Sequence, residues 1–198
     1  MKKVPAYGFT LVEMSLVLVI VSLLLGGILK GRELIFDSKV QRCQGEFKTL
    51  ASVFDTYTNR YKALAGDDPR ASRWTGVSAG NGNGVVDGEW TSTTVADETR
   101  LVWQHLRAAN LITGKDTDAA THAFGGNIGI DNSLMSMSGT MICLQNIPAN
   151  AAEIIDLSLD DGQRNAGSLR ADTNPLLTTK PTASTYTVGN LYTVCYQI

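Results

Sequence analysis

Residues 8–29 form a nearly unbroken apolar run, GFTLVEMSLVLVIVSLLLGGIL, that contains one carboxylate, Glu13. At about 1.5 Å per residue, a helix over residues 9–29 is about 31 Å long, which matches the hydrocarbon thickness of a bilayer. The run therefore predicts a single membrane-spanning helix. Glu13 needs a separate explanation, because an ionisable group inside a membrane helix is costly and normally has a partner.

The residues before the run indicate its orientation. Lys2 and Lys3 place the amino terminus in the cytoplasm by the positive-inside rule, although Lys30 and Arg32 after the run weaken this signal. A basic start followed by apolar residues also describes a secretory signal peptide. The length of the run, the carboxylate within it and the lack of a clear small-x-small cleavage site disfavour that alternative.

After residue 29 the apolar pattern continues as an amphipathic one. Apolar residues recur every three or four positions, which places them on one helix face: Phe36, Val40, Cys43, Phe47, Leu50, Phe54, Tyr57, Tyr61 and Leu64. No proline occurs from Phe9 to Asp68, so we predict one continuous helix through residues 9–29 and 30–64. The stripe would suit a coiled-coil seam, but its aromatic content favours packing on a sheet.

The remaining residues, 65–198, predict a globular head of mixed structure. A Gly- and Asn-rich loop over residues 66–90 precedes a helix at 97–110, with Asp97 as N-cap and Asn110 as a left-handed C-cap. Strands are predicted at 128–130 and 140–147, a short helix at 148–159, and a carboxy-terminal hairpin of 185–188 with 191–198 around Gly189-Asn190. The predicted fold class is α+β: a long amino-terminal helix packed on an antiparallel sheet.

Charge and residue types disfavour nucleic-acid binding and catalysis. Residues 30–62 carry seven basic and four acidic residues, whereas residues 63–198 carry eight basic and fourteen acidic ones, so the head has a net charge of −6. An acidic head without a basic patch argues against nucleic acid as the main partner. The two histidines, His105 and His122, belong to no zinc pattern or nucleophile–base motif, so we predict no enzyme.

The start of the chain resembles the prepilin signature of type IV pilins and type II secretion pseudopilins: a short basic leader, then GFTLVE. The resemblance implies that prepilin peptidase removes residues 1–8 by cutting after Gly8, and that Phe9 is then N-methylated. It further implies that Glu13 pairs with the methylated amine of Phe9 in a neighbouring subunit during assembly. The implied location is the bacterial inner membrane with the head in the periplasm, followed by a periplasmic or cell-surface filament.

The function implied by this resemblance is a structural subunit of a type IV pilus or related filament. Its partners would be prepilin peptidase, other pilin or pseudopilin subunits, and the inner-membrane assembly machinery. The absence of a proline before Pro69 disfavours the most abundant subunit and suits a minor pilin or a pseudopilin. The prediction is a minor pilin, and a pseudopilin of a type II secretion system is the alternative. A membrane-tethered extracytoplasmic binding module is a second alternative, from a different class of protein.

The three cysteines suggest an oxidising compartment once the head lies outside the cytoplasm. Pilin-like heads often tie their carboxy-terminal region with a disulfide, and the resemblance implies a bridge between Cys143 and Cys195, which both lie in predicted strands. Cys43 lies on the apolar helix stripe, where a buried free thiol is expected. A bridge from Cys43 to either of the others remains an alternative.

The loop sequence GNGNGVVDGE invites comparison with calcium loops. Asn81, Asn83 and Asp87 fit the EF-hand spacing, but Ala79 and Trp90 occupy the first and last ligand positions. The candidate ligands are therefore completed by carboxylates from elsewhere in the loop: Asp67, Asp68 and Glu89. A solvated turn without metal is the alternative. A second acidic cluster is predicted to be a helix end and turn: Asp156, Asp160 and Asp161.

Overall fold

The computed structural model describes residues 8–198, so the predicted leader, apart from Gly8, lies outside the described residues. Three α-helices follow in chain order: α1 (Leu11–Tyr61), α2 (Glu98–Ala108) and α3 (Ala149–Leu159), with a 3₁₀ turn at Ala71–Arg73. The strands are β1 (Ile128–Asp131), β2 (Met141–Pro148), β3 (Leu169–Asp172) and β4 (Leu191–Gln197). The chain divides into two compact units, Met1–Ser38 and Lys39–Ile198, and the second is called the head unit below.

In the first unit, α1 presents apolar side chains on all sides. Every large apolar side chain from Phe9 to Leu29 is exposed, with fractions between 45% at Val21 and 88% at Leu11. The hydroxyls of Ser15 and Ser22 donate hydrogen bonds to backbone carbonyls one turn earlier, which satisfies them without solvent. Among the described residues, α1 is the one helix long and apolar enough to cross a membrane.

In the head unit, the remainder of α1 buries one stripe of side chains. The buried residues follow the predicted three- and four-residue spacing: Val40, Cys43, Phe47, Leu50, Phe54 and Tyr57. The ring of Phe47 meets the β4 residue Tyr196 edge to face, with 5.8 Å between the ring centroids. The stripe therefore packs on the sheet, as predicted, and is not a coiled-coil seam within the chain.

The long helix ends at Tyr61, three residues before the predicted end at residue 64. Lys62 has a positive φ of 55°, which breaks the helical path. Arg70 folds back and donates from Nη2 to the carbonyl of Tyr61, while Trp74 packs edge to face on the Tyr61 ring. A side chain from the following loop therefore provides a hydrogen-bond donor for a carbonyl at the end of the helix. The periodicity of apolar residues does not predict this contact.

The four strands form one antiparallel sheet in the order β1-β2-β4-β3. Alternate residues of β2 and β4 point to opposite faces. One face carries Tyr196, which meets α1, and the other carries Cys143 and Cys195. The sheet with its long packed helix confirms the predicted α+β class.

The predicted carboxy-terminal hairpin is wrong. Residues 185–188 form no strand, and β4 instead pairs with β3, which the sequence reading did not identify. The reason is burial: β3 buries Leu169 and Ala171, whereas Val188 is exposed. The Gly189-Asn190 turn exists, but it leads from an irregular connection into β4.

The two shorter helices agree with their predicted positions. Asn110 follows α2 with a φ of 57°, the left-handed conformation expected at a helix end. Asp97 occupies the N-cap position, but its carboxylate accepts a hydrogen bond from the Ser92 hydroxyl and makes no cap bond. α3 begins at Ala149, directly after β2.

Candidate functional site

The carboxylate of Glu13 is hydrogen-bonded to the first residues of its own helix. Its Oε2 accepts hydrogen bonds from the backbone N–H and the hydroxyl of Thr10, each 2.8 Å long. In return, the backbone N–H of Glu13 donates to the Thr10 hydroxyl oxygen at 3.2 Å. This reciprocal arrangement is a capping box, with Thr10 as N-cap and Glu13 three residues later. The carboxylate is therefore satisfied locally.

Thr10 is a site residue that the sequence analysis missed. The signal was present, because T-x-x-E before an apolar run is the sequence signature of a capping box. The carboxylate also lies in the first helical turn, where the macrodipole favours negative charge. Glu13 thus has two explanations: a local structural role in the capping box, and the assembly role that the resemblance implies.

The predicted cleavage position lies outside the helix. Gly8, Phe9 and Thr10 have no regular secondary structure, and α1 begins only at Leu11. Gly8 and Phe9 are both exposed. A protease needs an accessible backbone outside regular secondary structure, and residues 8–10 meet both conditions. Cleavage after Gly8 and methylation of Phe9 remain predictions.

The head unit contains a disulfide between Cys143 and Cys195, the pair that the resemblance implied. The two residues are direct partners in the pairing of β2 with β4. They lie in a buried cluster with Trp90, Leu134 and three methionines. The disulfide therefore joins β2 and β4, the two central strands of the sheet.

Cys43 is a buried free thiol. Its sulfur lies 3.8 Å from Nδ1 of His122, whose Nε2 is 2.6 Å from the carbonyl oxygen of Gln145. Burial raises the pKa of the Cys43 thiol to about 11, and burial lowers the pKa of His122. Both groups are neutral at pH 7, so the contact lacks the thiolate that a cysteine nucleophile requires.

The N–H groups of the Gly- and Asn-rich loop donate hydrogen bonds to carboxylates of the same loop. Asp67 accepts backbone N–H bonds from Gly82, Asn83 and Gly84 at 2.6 to 3.0 Å. The side-chain amides of Asn81 and Asn83 both donate to Oδ2 of Asp87 at 2.8 Å. Of the six candidate calcium ligands, the structure thus links four in one hydrogen-bond network: Asp67, Asn81, Asn83 and Asp87.

The carboxylates of this loop accept hydrogen bonds from its own N–H groups: both oxygens of Asp67 and Oδ2 of Asp87. Each carboxylate oxygen has two lone pairs, so these bonds leave sites for a cation. Asp68 faces elsewhere, accepting from the Tyr57 hydroxyl and from Nη2 of Arg73, both at 2.8 Å. Calcium binding by this loop stays a prediction.

Two residues of α2 hold the same loop and were not predicted to do so. Glu98 accepts from the backbone N–H groups of Asn81 and Asp87. His105 is buried and accepts at Nδ1 from the N–H of Gly66, and its Nε2 lies 2.7 Å from the carbonyl oxygen of Ser78. Burial lowers the pKa of His105, which keeps the ring neutral. No local pattern identifies such long-range contacts.

Two acidic residues at the end of α3, the buried Asp156 and the half-buried Asp160, accept hydrogen bonds from later segments, whereas Asp161 is exposed. Asp156 accepts from the Tyr186 hydroxyl at 2.7 Å and from the N–H of Gly162 at 3.2 Å. Asp160 accepts from the N–H of Leu169, the first residue of β3. Each carboxylate therefore joins α3 to a following segment, in agreement with the predicted helix end and turn.

Comparison with known families identifies the amino-terminal segment. Residues 5–29 match the model of the prokaryotic N-terminal methylation motif. No curated protein and no solved structure matches the chain. The family that bears this motif is structural rather than catalytic. The chain thus carries the methylation signal of type IV pilins and pseudopilins, the substrates of prepilin peptidase.

Proposed function

We propose that this chain is a structural subunit, a minor pilin, of a type IV pilus or related filament. The observation that carries the proposal is the exposure of the apolar helix surface from residue 11 to residue 29, directly behind the methylation motif. So large an apolar surface must be covered by lipid or by other helices. Lipid tails and apolar side chains are about equally favourable surroundings, so transfer between the two is accessible.

The proposed life of the chain has two stages. Prepilin peptidase cuts after Gly8, Phe9 is methylated, and residues 9–29 hold the chain in the inner membrane with the acidic head unit in the periplasm. The inner-membrane assembly machinery then moves the helix into a stack of like helices. In this scheme the membrane position precedes the filament.

Glu13 supplies the specific contact in that stack. The α-amino group of a mature Phe9 is largely cationic at neutral pH, and methylation preserves its charge. Pairing it with Glu13 of a neighbouring subunit reduces the desolvation cost of both charges. Before assembly, the backbone N–H and hydroxyl of Thr10 donate hydrogen bonds to the Glu13 carboxylate. During assembly, the amine of the neighbouring Phe9 pairs with it.

Replacing the carboxylate tests this role. Glu13→Ala should leave processing and membrane insertion intact but remove the chain from sheared filaments. The matched control is Glu33→Ala, since Glu33 is exposed on the same helix and pairs only with nearby Lys30 at 2.8 Å. Incorporation of the Glu13 variant at the level of the control would overturn the pairing.

Mass analysis of the mature amino terminus tests the processing step. The proposal expects a chain that starts with N-methylated Phe9. A start near Gly27 would instead establish the secretory signal peptide.

The two alternatives differ in where the chain is found. A pseudopilin shares the motif, and its gene would lie beside genes of a type II secretion system. A membrane-tethered binding module would stay with the membrane when surface filaments are sheared from cells. Recovery of the chain in the sheared fraction supports the filament subunit.

Calcium binding by residues 66–90 stays a prediction. If it occurs, calcium should raise the melting temperature of the head unit, and Asp87→Asn should abolish the shift. A melting temperature that does not change with calcium supports the loop closed by its own hydrogen bonds.

A further inference from the structure

A polar cavity of about 190 Å³ lies in the head unit, between the segment before α2, the first turn of α2 and the strands β1 and β2. At about 30 Å³ per water, this is the volume of about six water molecules, enough for a small organic molecule. Its polar lining residues carry hydroxyl, amide and guanidinium groups: Thr91, Ser92, Thr93, Arg100, Asn127 and Gln145. No carboxylate is among the residues that line it.

Arg100 supplies the charge of this cavity. Its Nε is buried and has no hydrogen-bond partner, and within residues 8–198 its guanidinium forms no ion pair. Two other arginines also have a buried, unpartnered Nε, but each uses another nitrogen. Arg164 pairs through Nη1 with Asp172 at 2.9 Å, and Arg170 donates from Nη1 to the carbonyl of Met135 at 2.7 Å. Arg100 has no such bond.

A free guanidinium is unexpected in so acidic a head. Residues 63–198 carry fourteen acidic residues, yet none of them pairs with Arg100. A buried donor without a partner costs free energy, so the guanidinium favours an acceptor from outside the chain. A carboxylate fits this requirement best, because the planar fork of an arginine can donate two parallel hydrogen bonds to its two oxygens.

The other lining groups favour hydroxyl groups on the same ligand. Hydroxyls and side-chain amides can both donate and accept, as the hydroxyls of a ligand do. The hydroxyl of Ser92 donates to Asp97 and keeps its lone pairs as acceptors. The side-chain amides of Asn127 and Gln145 make no hydrogen bond in the part of the chain that the structure describes, so they are available to a ligand.

The walls of the cavity are fixed by contacts between distant segments. The N–H of Gln145 donates to the carbonyl of Asn127 at 3.1 Å, and Nε2 of His122 lies 2.6 Å from the carbonyl oxygen of Gln145. Trp90, which also lines the cavity, donates from Nε1 to the carbonyl of Pro175 at 2.9 Å. A cavity that is already formed avoids part of the ordering cost of binding.

We propose that this cavity binds a small carboxylate that also carries hydroxyl groups, the chemistry of a sugar acid. The carboxylate lies on the guanidinium of Arg100, and the hydroxyl groups lie against the polar side chains of the segment before α2 and of the sheet. Such a ligand is either a free sugar acid or the terminal uronic acid of a polysaccharide. The inference goes beyond the filament function and does not depend on it.

Titration of the full-length chain in detergent with D-glucuronate, followed by calorimetry, tests the proposal. Arg100→Gln keeps a polar side chain but removes the charge, and it should weaken binding by about tenfold or more, because charge-assisted hydrogen bonds are the strong ones. The matched control is Arg60→Gln, which makes the same charge change at an exposed position of α1 and should bind like the unmodified chain. Equal affinities of the two variants would overturn the role of Arg100.

A second variant protects the test against misfolding. Asn127 is exposed, and its side chain has no partner within residues 8–198, so Asn127→Ala should leave the melting temperature unchanged. Its affinity for D-glucuronate should still fall severalfold, since one lining amide is lost. An unchanged affinity would contradict the placement of the ligand in this cavity.

Two further probes separate the parts of the ligand. D-glucose keeps the hydroxyl groups without the carboxylate, and acetate keeps the carboxylate without the hydroxyl groups, so both should bind more weakly than D-glucuronate by about tenfold or more. Equal binding of glucose would overturn the contact with Arg100, and equal binding of acetate would overturn the contacts with hydroxyl groups.

The remaining outcomes concern the source of the ligand. Displacement of D-glucuronate by polygalacturonate would support a polysaccharide, and binding of the free acid without this competition would support a small metabolite. A chain that binds no D-glucuronate would overturn the proposal and leave the cavity to water. The filament function stands in every case, because the detergent-solubilised chain is tested outside the filament.

Discussion

The two halves of α1 share one helical backbone but differ in what surrounds their side chains. From residue 11 to residue 29 all large apolar side chains are exposed, on every side of the helix. In the head unit a single stripe is buried, and most of the other positions are polar or small. The side chains of the first half need contacts from outside the chain, such as lipid or other helices, whereas those of the second half pack on the sheet of the same chain.

The carboxylates show the same difference. Glu13 is satisfied by Thr10, three residues away. Asp68 in the head unit is fully buried and depends on Tyr57 and Arg73, which lie in other elements. Contacts within one helical turn survive a change of surroundings, whereas contacts between different elements require those elements to stay packed together.

The largest expected effect is loss of a core aromatic side chain. Phe47→Ala should destabilise the head unit by about 3–5 kcal/mol, because it empties a fully buried position against Tyr196. Phe9→Ala, the same change in the first half, should leave head stability unchanged. Denaturant unfolding of the chain in detergent measures both, and a loss below about 1 kcal/mol for Phe47→Ala would contradict the packing described.

The reverse comparison places a charge in the apolar half. Val19→Lys, near the middle of residues 9–29, should cost about 3 kcal/mol of membrane insertion. Head unfolding should be unaffected. Ser52→Lys, at an exposed position of the second half, is the control and should insert normally. Carbonate extraction of membranes reports the retained fraction, and equal retention of both variants would refute the membrane assignment.

A pH-dependent comparison uses the buried Asp156. Burial raises its pKa from 3.8 to about 6, so the folded state binds the proton more tightly than the unfolded state. The folded state therefore gains stability from this group as the pH falls from 7 to 4, and loses that stability as the pH rises through about 6. Asp156→Asn should flatten the stability profile in this window by about 2 kcal/mol.

The control for that measurement is Glu153→Gln, at an exposed carboxyl of the same helix that is not among the groups that shift the pKa of Asp156. Its pH profile should follow that of the unmodified chain. Identical profiles for all three proteins would show that Asp156 does not titrate in this range.

The smallest expected effect concerns the helix start. Thr10→Val removes the hydroxyl of the capping box and should cost about 1 kcal/mol locally, or about fivefold faster amide exchange in the first turn. Thr10→Ser should restore protection. Faster amide exchange throughout the head unit would show that the stabilising effect of the capping box is not confined to the first turn of α1.

Local patterns predicted much of the fold. The three- and four-residue spacing located the buried stripe, and Asn110 marked the end of α2. The carboxy-terminal hairpin was predicted wrongly, because a Gly-Asn turn shows where the chain reverses but not which strand pairs with β4. β3 was missed since it has only four residues, LRAD, with two of them polar.

For the candidate site, the sequence located Gly8, Phe9 and Glu13, because the signal is contiguous. The T-x-x-E pattern of Thr10 and Glu13 also signals the capping box. The partners of Asp67 were not predictable, since its N–H donors lie at least fifteen residues away and a loop sequence does not specify closure.

The sequence by itself determined the membrane-length apolar helix, the amphipathic stripe and the methylation motif, because periodicity and hydropathy are properties of neighbouring residues. The tertiary structure alone decided the pairing of β3 with β4 and the closure of the Asn-rich loop. Those features arise from contacts between residues far apart in the chain, where burial selects among many compatible local patterns.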